Sequence, residues 1–159
     1  MTPAIIRFNG QFTFLSNFAT APLKVNGMAF ATVEHAYQAF KATNEDDRLL
    51  VQGQQTAGGA QRSGRAIKMN DTFLERRIEI MTKLLKAKFS LTAHPTYANR
   101  LLETGTAYLV EGNNWHDTCW GDSSCRECKD IIGENNLGLL LMKRRTQLKK
   151  EVKGYTPAA

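Results

Sequence analysis

The stretch TVEHAYQAFKA, residues 32–42, decides how the chain is read. Thr32 suits a helix N-cap, because its hydroxyl can accept a hydrogen bond from a backbone N–H of the first turn. Val33, Ala36, Tyr37 and Phe40 then fall at i, i+3, i+4 and i+7, one apolar stripe of helical period. Glu34, Gln38 and Lys41 fall at i, i+4 and i+7 beside that stripe, so a carboxylate, an amide and an ammonium share one face. Such a row is either a solvated face with a weak Glu–Lys attraction or the wall of a site that holds and protonates a polar ligand. Glu34 and His35 stand close to the helix start, just after a loop, where a pocket mouth often lies.

Working outward, the first thirty residues read as short strands and turns. IIRF and QFTFL are expected strands, and Asn9-Gly10 and Asn26-Gly27 are hairpin-type turn signals. Downstream the pattern is helical. Asn44 caps a short helix with Asp46 and Asp47 in its first turn, and TAGGAQRSGR, residues 56–65, is a short helix or loop. A long helix runs from about Asp71 to Lys88 or Phe89, with Leu74, Ile78, Met81 and Leu85 as its apolar row. Another starts near Pro95 and stops at Gly105; AYLVE, residues 107–111, is a strand. The last helix starts near Asn135 or Asn136 and ends before Gly154. Without repeats, linkers or low-complexity blocks, the expectation is a compact, mostly helical α+β single domain with a few short strands over residues 1–159.

A hydrophobic content of 42% and a charged content of 23% exclude a disordered or fibrous class. No apolar run approaches the roughly 18 residues of a membrane span, and MTPAIIRFNG does not read as a secretory signal, so no membrane partner and a cytoplasmic location are expected. Three cysteines, an odd number, read as reduced thiols or ligands rather than a disulfide framework. Lys143, Arg144, Arg145, Lys149, Lys150 and Lys153 against Glu151 give +5 of the net +6, leaving +1 for the first 142 residues. A basic end of this kind, with the tail to residue 159, either rests on phosphates or is a solvated helix face.

EGNNWHDTCWGD, residues 111–122, contains both tryptophans of the chain. As packing, Trp115 and Trp120 close a core. As a metal site, His116, Cys119, Cys125 and Cys128 form a nominal Cys3His zinc set. As a pocket, the two indoles stack on a planar base, Asp117 acts on a developing positive charge, and Asn113 and Asn114 bond hydroxyls. With Glu34, Asp117 makes the pair of carboxylates that cleavage of a ribosyl bond needs, since its transition state has oxocarbenium character. Arg7 and Arg65 are candidates for gripping phosphate bidentately. No cofactor is called for.

FLSNF (14–18), TVEHAYQAFKA (32–42), SGRAIKM (63–69), KAKFS (86–90), LLETGTAYLVEGNNWHDTCWG (101–121) and GENNLGLLLMKRR (133–145) resemble, in order, the blocks of the YbiA-like NADAR family. The resemblance runs from Phe8 to about Leu148. It implies a compact, mostly helical fold and an N-glycosidase that cleaves between ribose C1 and an exocyclic amine of a base. The implied substrate is ADP-ribosylated guanine in DNA or a phosphoribosylamino-pyrimidine intermediate of riboflavin synthesis. Because such a sugar can ring-open to an imine, Lys41 is the implied nucleophile, exchanging into it as a Schiff base, with Glu34 or Asp117 transferring the proton. The alternative mechanism is direct hydrolysis, with Glu34 and Asp117 as acid and stabiliser. The resemblance also places Asn17, Phe18, Asn136 and Gly138 around the pocket, in a binding set with His35, Gln38, Trp115, Trp120 and Gly121. In the family, the passage from WG to N-x-L-G is glycine-rich, whereas here SSCRECKD intervenes. A non-catalytic ADP-ribose or NAD-binding module and a zinc-stabilised nucleic-acid binder are the alternatives from other classes; the latter predicts bound metal and steeply salt-dependent DNA binding.

Overall fold

Asn26 and Gly27 both adopt positive φ, 52° and 79°. Consecutive left-handed residues are what a type I′ turn needs, and here they close an antiparallel hairpin of β1 (Leu23–Val25) and β2 (Met28–Phe30), with Leu23 opposite Phe30. The computed structural model describes residues 3–154, so the tail 155–159 lies outside the described residues. Among the described residues two compact units are distinguished, 17–88 and 3–16 with 89–154.

In the 17–88 unit, the hairpin leads into α1 (Val33–Ala39), capped as expected by Thr32, whose hydroxyl accepts from His35 N. Such a cap contributes about 1 kcal/mol. Every residue of α1 is buried, which overturns the reading of its polar row as a solvated face. The helix is wrapped by α2 (Glu45–Gln52), α3 (Ala57–Ala66) and α4 (Phe73–Lys88). Asn44 caps α2 by accepting from Asp47 N, and TAGGAQRSGR resolves as helix α3, capped by Thr56. The expected apolar row of α4 is corrected: Phe73, Ile80, Met81, Leu84, Leu85 and Lys88 are buried, while Leu74 and Ile78 are exposed. Met81 and Leu85 of the expected row are buried as read; packing against α1 and β1 adds Phe73, Ile80 and Leu84 to them in place of Leu74 and Ile78.

In the other unit only Ile5 of IIRF lies in a strand: β3 (Ala4–Ile5) pairs in parallel with β4 (Tyr108–Leu109), which lies within AYLVE. QFTFL is not a strand. It lies in a 3-10 turn, Gly10–Leu15, with Phe12 N donating to Asn9 O and Ser16 N to Thr13 O, both at 2.9 Å. Asn9-Gly10 accordingly opens a helical turn, Gly10 at φ 53°, and not a hairpin. Tertiary contacts select this form: Phe14 meets the Phe89 ring edge-on, and Arg100 lies over Phe14 at 4.0 Å while donating to Gln11 O. α5 (Pro95–Glu103) ends before Gly105 at φ 63°. β5 (Gly112–Asn113) and β6 (Asp122–Ser123) pair in parallel and enclose the tryptophan loop, a pairing that alternation did not signal. α6 (Asn136–Gly154) closes the unit.

The basic run on α6 is corrected in part. Arg144 is buried and donates through Nε and Nη2 to Phe89 O, with Nη1 2.6 Å from Glu151. Arg145 is buried too, bound to Thr104 Oγ1 and Ala107 O, and Lys149 donates to Gly105 O. Three of the six bases are therefore engaged in holding backbone carbonyls, that of Phe89 before α5 and those of Gly105 and Ala107 after it. The fold is helix-rich α+β with a few short strands, as the sequence implies.

Candidate active site

Glu34 and Gln38 face each other one turn apart on α1, and Gln38 Nε2 donates to Glu34 Oε1 at 2.7 Å. Both are nearly inaccessible, at 6% and 4% exposure. The backbone N–H of Glu34 donates to Asn17 O, so FLSNF is fastened to the start of α1. Two buried acceptors in this neighbourhood, Asn17 Oδ1 and Gln38 Oε1, have no hydrogen-bond partner. Such groups are costly to bury unless water or a ligand bonds them. Asn17 Nδ2 points to Met81 Sδ at 3.6 Å, and Phe18 beside it is 45% exposed.

Lys41 follows the end of α1 instead of lying within the helix. Its Nζ is 5.7 Å from the centroids of both the Tyr37 and Phe73 rings. Burial pushes its ammonium below the usual lysine range; Glu34 opposes that shift and Arg65 adds to it. Lys41, Glu34 and Arg65 thus share one electrostatic neighbourhood, with Arg65, which the sequence row did not include, exposed on α3. The main chain of Lys41 is clamped as well. Asn70 N donates to Lys41 O at 2.8 Å, and Asn70 Nδ2 bonds the carbonyls of Phe40 and Lys41. Asn70 and Phe73 were not singled out from the sequence, and Tyr37 was read only as part of the apolar stripe; SGRAIKMN carried a hint of Asn70, an asparagine just before the next helix.

His35 has a different place from its two neighbours. Gln54 O lies 2.9 Å from Nε2 and, as a carbonyl, can only accept, so Nε2 carries the proton and Nδ1 accepts from the Thr32 hydroxyl at 2.8 Å. Both ring nitrogens are engaged, and His35 braces the cap of α1. Gly64 lets α3 approach α1, since a Cβ there would stand 2.1 Å from Gln38 Oε1 and 2.7 Å from its Cβ.

The residues expected in the other unit form a loop held from two sides. Asp117 Oδ1 accepts from Cys119 N at 3.2 Å and Trp120 N at 2.8 Å, which fixes the turn between the tryptophans. Asn113 is buried, accepting from Trp115 N and Asp117 N and donating to Asp117 O. From the opposite side, the backbone N–H groups of residues 134–137, leading into α6, donate to the carbonyls of Thr118, Gly121, Cys119 and Trp120. The first amides of a helix lack intrahelical partners, and here the loop supplies them. Asn136 Nδ2 also bonds Cys119 O and Glu134. Gly121 and Gly138 are close-approach positions: a Cβ would lie 2.1 Å from Glu111 O and from Leu109 O respectively. Trp115 is 61% exposed, Trp120 half-buried, and Arg7 reaches Ser124 Oγ at 3.5 Å. The expected Cys3His set is reduced: His116, Cys125 and Cys128 come together, whereas Cys119 Sγ faces Asn136.

Comparison with known proteins agrees with this architecture. The NADAR domain family model matches residues 7–149. The chain is 34% identical to N-glycosidase YbiA of Escherichia coli (strain K12), over 93% of this chain and 91% of that protein. It is 30% identical to N-glycosidase Npun_R5314 of Nostoc punctiforme, over 84% of each. The NMR structure of E. coli YbiA superposes with a TM-score of 0.83 at 33% identity, covering 99% of this chain and 92% of the other. No helix among the described residues is long and apolar enough to cross a membrane. The chain belongs to the NADAR domain family.

Proposed function

We propose that this protein is an N-glycosidase acting on a ribosylamine, the bond between ribose C1 and an exocyclic amine of a base, with Lys41 as nucleophile and Glu34 as proton donor. The observation that carries the reading is Lys41: an amine set against two aromatic rings, its ammonium disfavoured by burial, with a buried carboxyl group in its electrostatic reach. A lysine must lose its proton to attack, and desolvation supplies that.

In the reaction, the ring-opened imine of the substrate receives the neutral Lys41 amine at C1. As the new C1–N bond forms, one proton passes from the lysine nitrogen to the exocyclic nitrogen; a second comes from Glu34, the old C1–N bond breaks, and the free base amine leaves a protonated lysine imine behind. Water then hydrolyses the lysine imine, returning the aldehyde sugar and the Lys41 amine, and Glu34 regains its proton. Gln38 orients Glu34, and Asn17 Oδ1 and Gln38 Oε1 accept from sugar hydroxyls. Arg65 neutralises a phosphate. ADP-ribosylated guanine in DNA and a phosphoribosylamino-pyrimidine both present this linkage, as a nucleotide-type small molecule or a modified duplex. The role left for Asp117 is to hold its loop, not to transfer a proton.

Borohydride added during turnover should trap the sugar on Lys41, read by peptide mass spectrometry, with each substrate offered in parallel. Normal turnover by Lys41→Ala would overturn the nucleophile; tight binding of both substrates without release of base would favour a non-catalytic ADP-ribose-binding module.

A further inference from the structure

The loop after Trp115 carries a cluster with no part in the chemistry above. His116 adopts a φ of 66°, a left-handed conformation that a non-glycine residue keeps only where its surroundings impose it. That conformation accompanies a ring whose Nδ1 edge is turned toward two thiols: Nδ1 is 3.1 Å from Cys125 Sγ and 3.4 Å from Cys128 Sγ. The other ring nitrogen, Nε2, faces the Glu127 carboxylate at 3.6 Å. A carboxylate on that side favours the proton on Nε2 and leaves the Nδ1 lone pair toward the sulfurs, the relation usual behind a metal-bound histidine.

We propose that His116, Cys125 and Cys128 bind a soft divalent cation, zinc by preference, through Nδ1 and two thiolates, with water in the fourth position. All three ligand atoms lie within 4.8 Å of one another. Around tetrahedral zinc, sulfur and nitrogen ligands stand roughly 3.6 Å apart, close to the 3.1 and 3.4 Å that separate Nδ1 from the two sulfurs here. Thiolate and imidazole donors select zinc over the hard cations magnesium and calcium. Two S–H bonds break, two protons pass to solvent, and two Zn–S bonds and one Zn–N bond form, so the dication is balanced by its thiolates. Cys125 and Cys128 are joined by a 3-10 turn (Arg126–Cys128) following β6, with Cys128 N donating to Cys125 O. An ion would therefore staple that turn to the start of the loop holding Asp117 and Trp120. SSCRECKD is the sequence that supplies this staple.

The probe is Co2+ alone, added to reduced, metal-free full-length protein with its three free thiols counted beforehand. One equivalent should bind, with thiolate-to-cobalt charge transfer and the intense visible bands of a tetrahedral ion, and Zn2+ should displace it. Cys119→Ser should bind as the wild type does. His116→Ala, a change at an exposed ring, should weaken binding by more than about a hundredfold, and Glu127→Gln by about tenfold. Absence of cobalt bands with all thiols free would overturn the site. Cobalt affinity unchanged in His116→Ala, or lost in Cys119→Ser, would overturn this ligand set. Loss in Cys125→Ser supports it when circular dichroism shows an intact fold, and His116→Ala decides if that variant does not fold.

Discussion

Gln38 Nε2 donates to Glu34 Oε1 at 2.7 Å, one turn apart on a helix with no exposed residue. An amide so placed aims the carboxyl group without adding charge. Gln38→Leu keeps the bulk and removes the donor, and kcat should fall by about ten- to a hundredfold, up to the lower end of the roughly 10²–10⁴-fold that positioned proton transfer contributes. Steady-state kinetics with an unchanged melting temperature would identify the loss as one of orientation; undiminished kcat would show that Glu34 needs no such partner.

In the proposed mechanism the attacking lysine is neutral, so turnover should rise with pH as Lys41 loses its proton. Its pKa lies below the usual lysine value because burial and, secondarily, the Arg65 charge disfavour the ammonium. Arg65→Gln removes a depressing charge, so the pKa rises and the acid limb of the kcat–pH profile should move to higher pH. Arg65 is exposed, so the displacement should shrink in high salt. A limb that moves to lower pH would contradict the assignment of that limb to Lys41.

Gly64 is where α3 touches the Gln38 side chain. In Gly64→Ala the new methyl would stand 2.7 Å from Gln38 Cβ, too close without a shift of the helix. Destabilisation of about 1–3 kcal/mol is expected, as for other overpacked sites. Denaturant unfolding measures it, and kcat should fall as well, because the displaced amide is the one that aims Glu34.

Asp117 separates a charge role from a turn role. Its Oδ1 accepts from two backbone amides, which Asn can also do. Asp117→Asn should retain activity within a few-fold, while Asp117→Ala should cost about 1–3 kcal/mol for the amides left unbonded. Inactivity of a well-folded Asp117→Asn variant would return the residue to the reaction.

TVEHAYQAFKA contained most of what the fold needs: a capping threonine, a helical stripe and three functional groups in a row. Each is a local property, set by backbone geometry within one or two turns, and each appears at the expected positions, although Lys41 lies just past the helix end. Asn26-Gly27, Asn44 and Gly105 were legible for the same reason: caps and left-handed turns depend on single residues. QFTFL was not legible. Its alternation suits a strand, and only the contacts of Phe14 with Phe89 and Arg100 select a 3-10 turn.

Which row of α4 is buried, which bases of α6 face carbonyls, and which cysteines join His116 are equally decisions of partners distant in sequence. Sequence alone determined the residue types and their local periods. Tertiary structure decided burial, and burial is what turns a Glu–Gln–Lys row from a solvated face into a buried carboxyl and amide beside a lysine with a weakened hold on its proton.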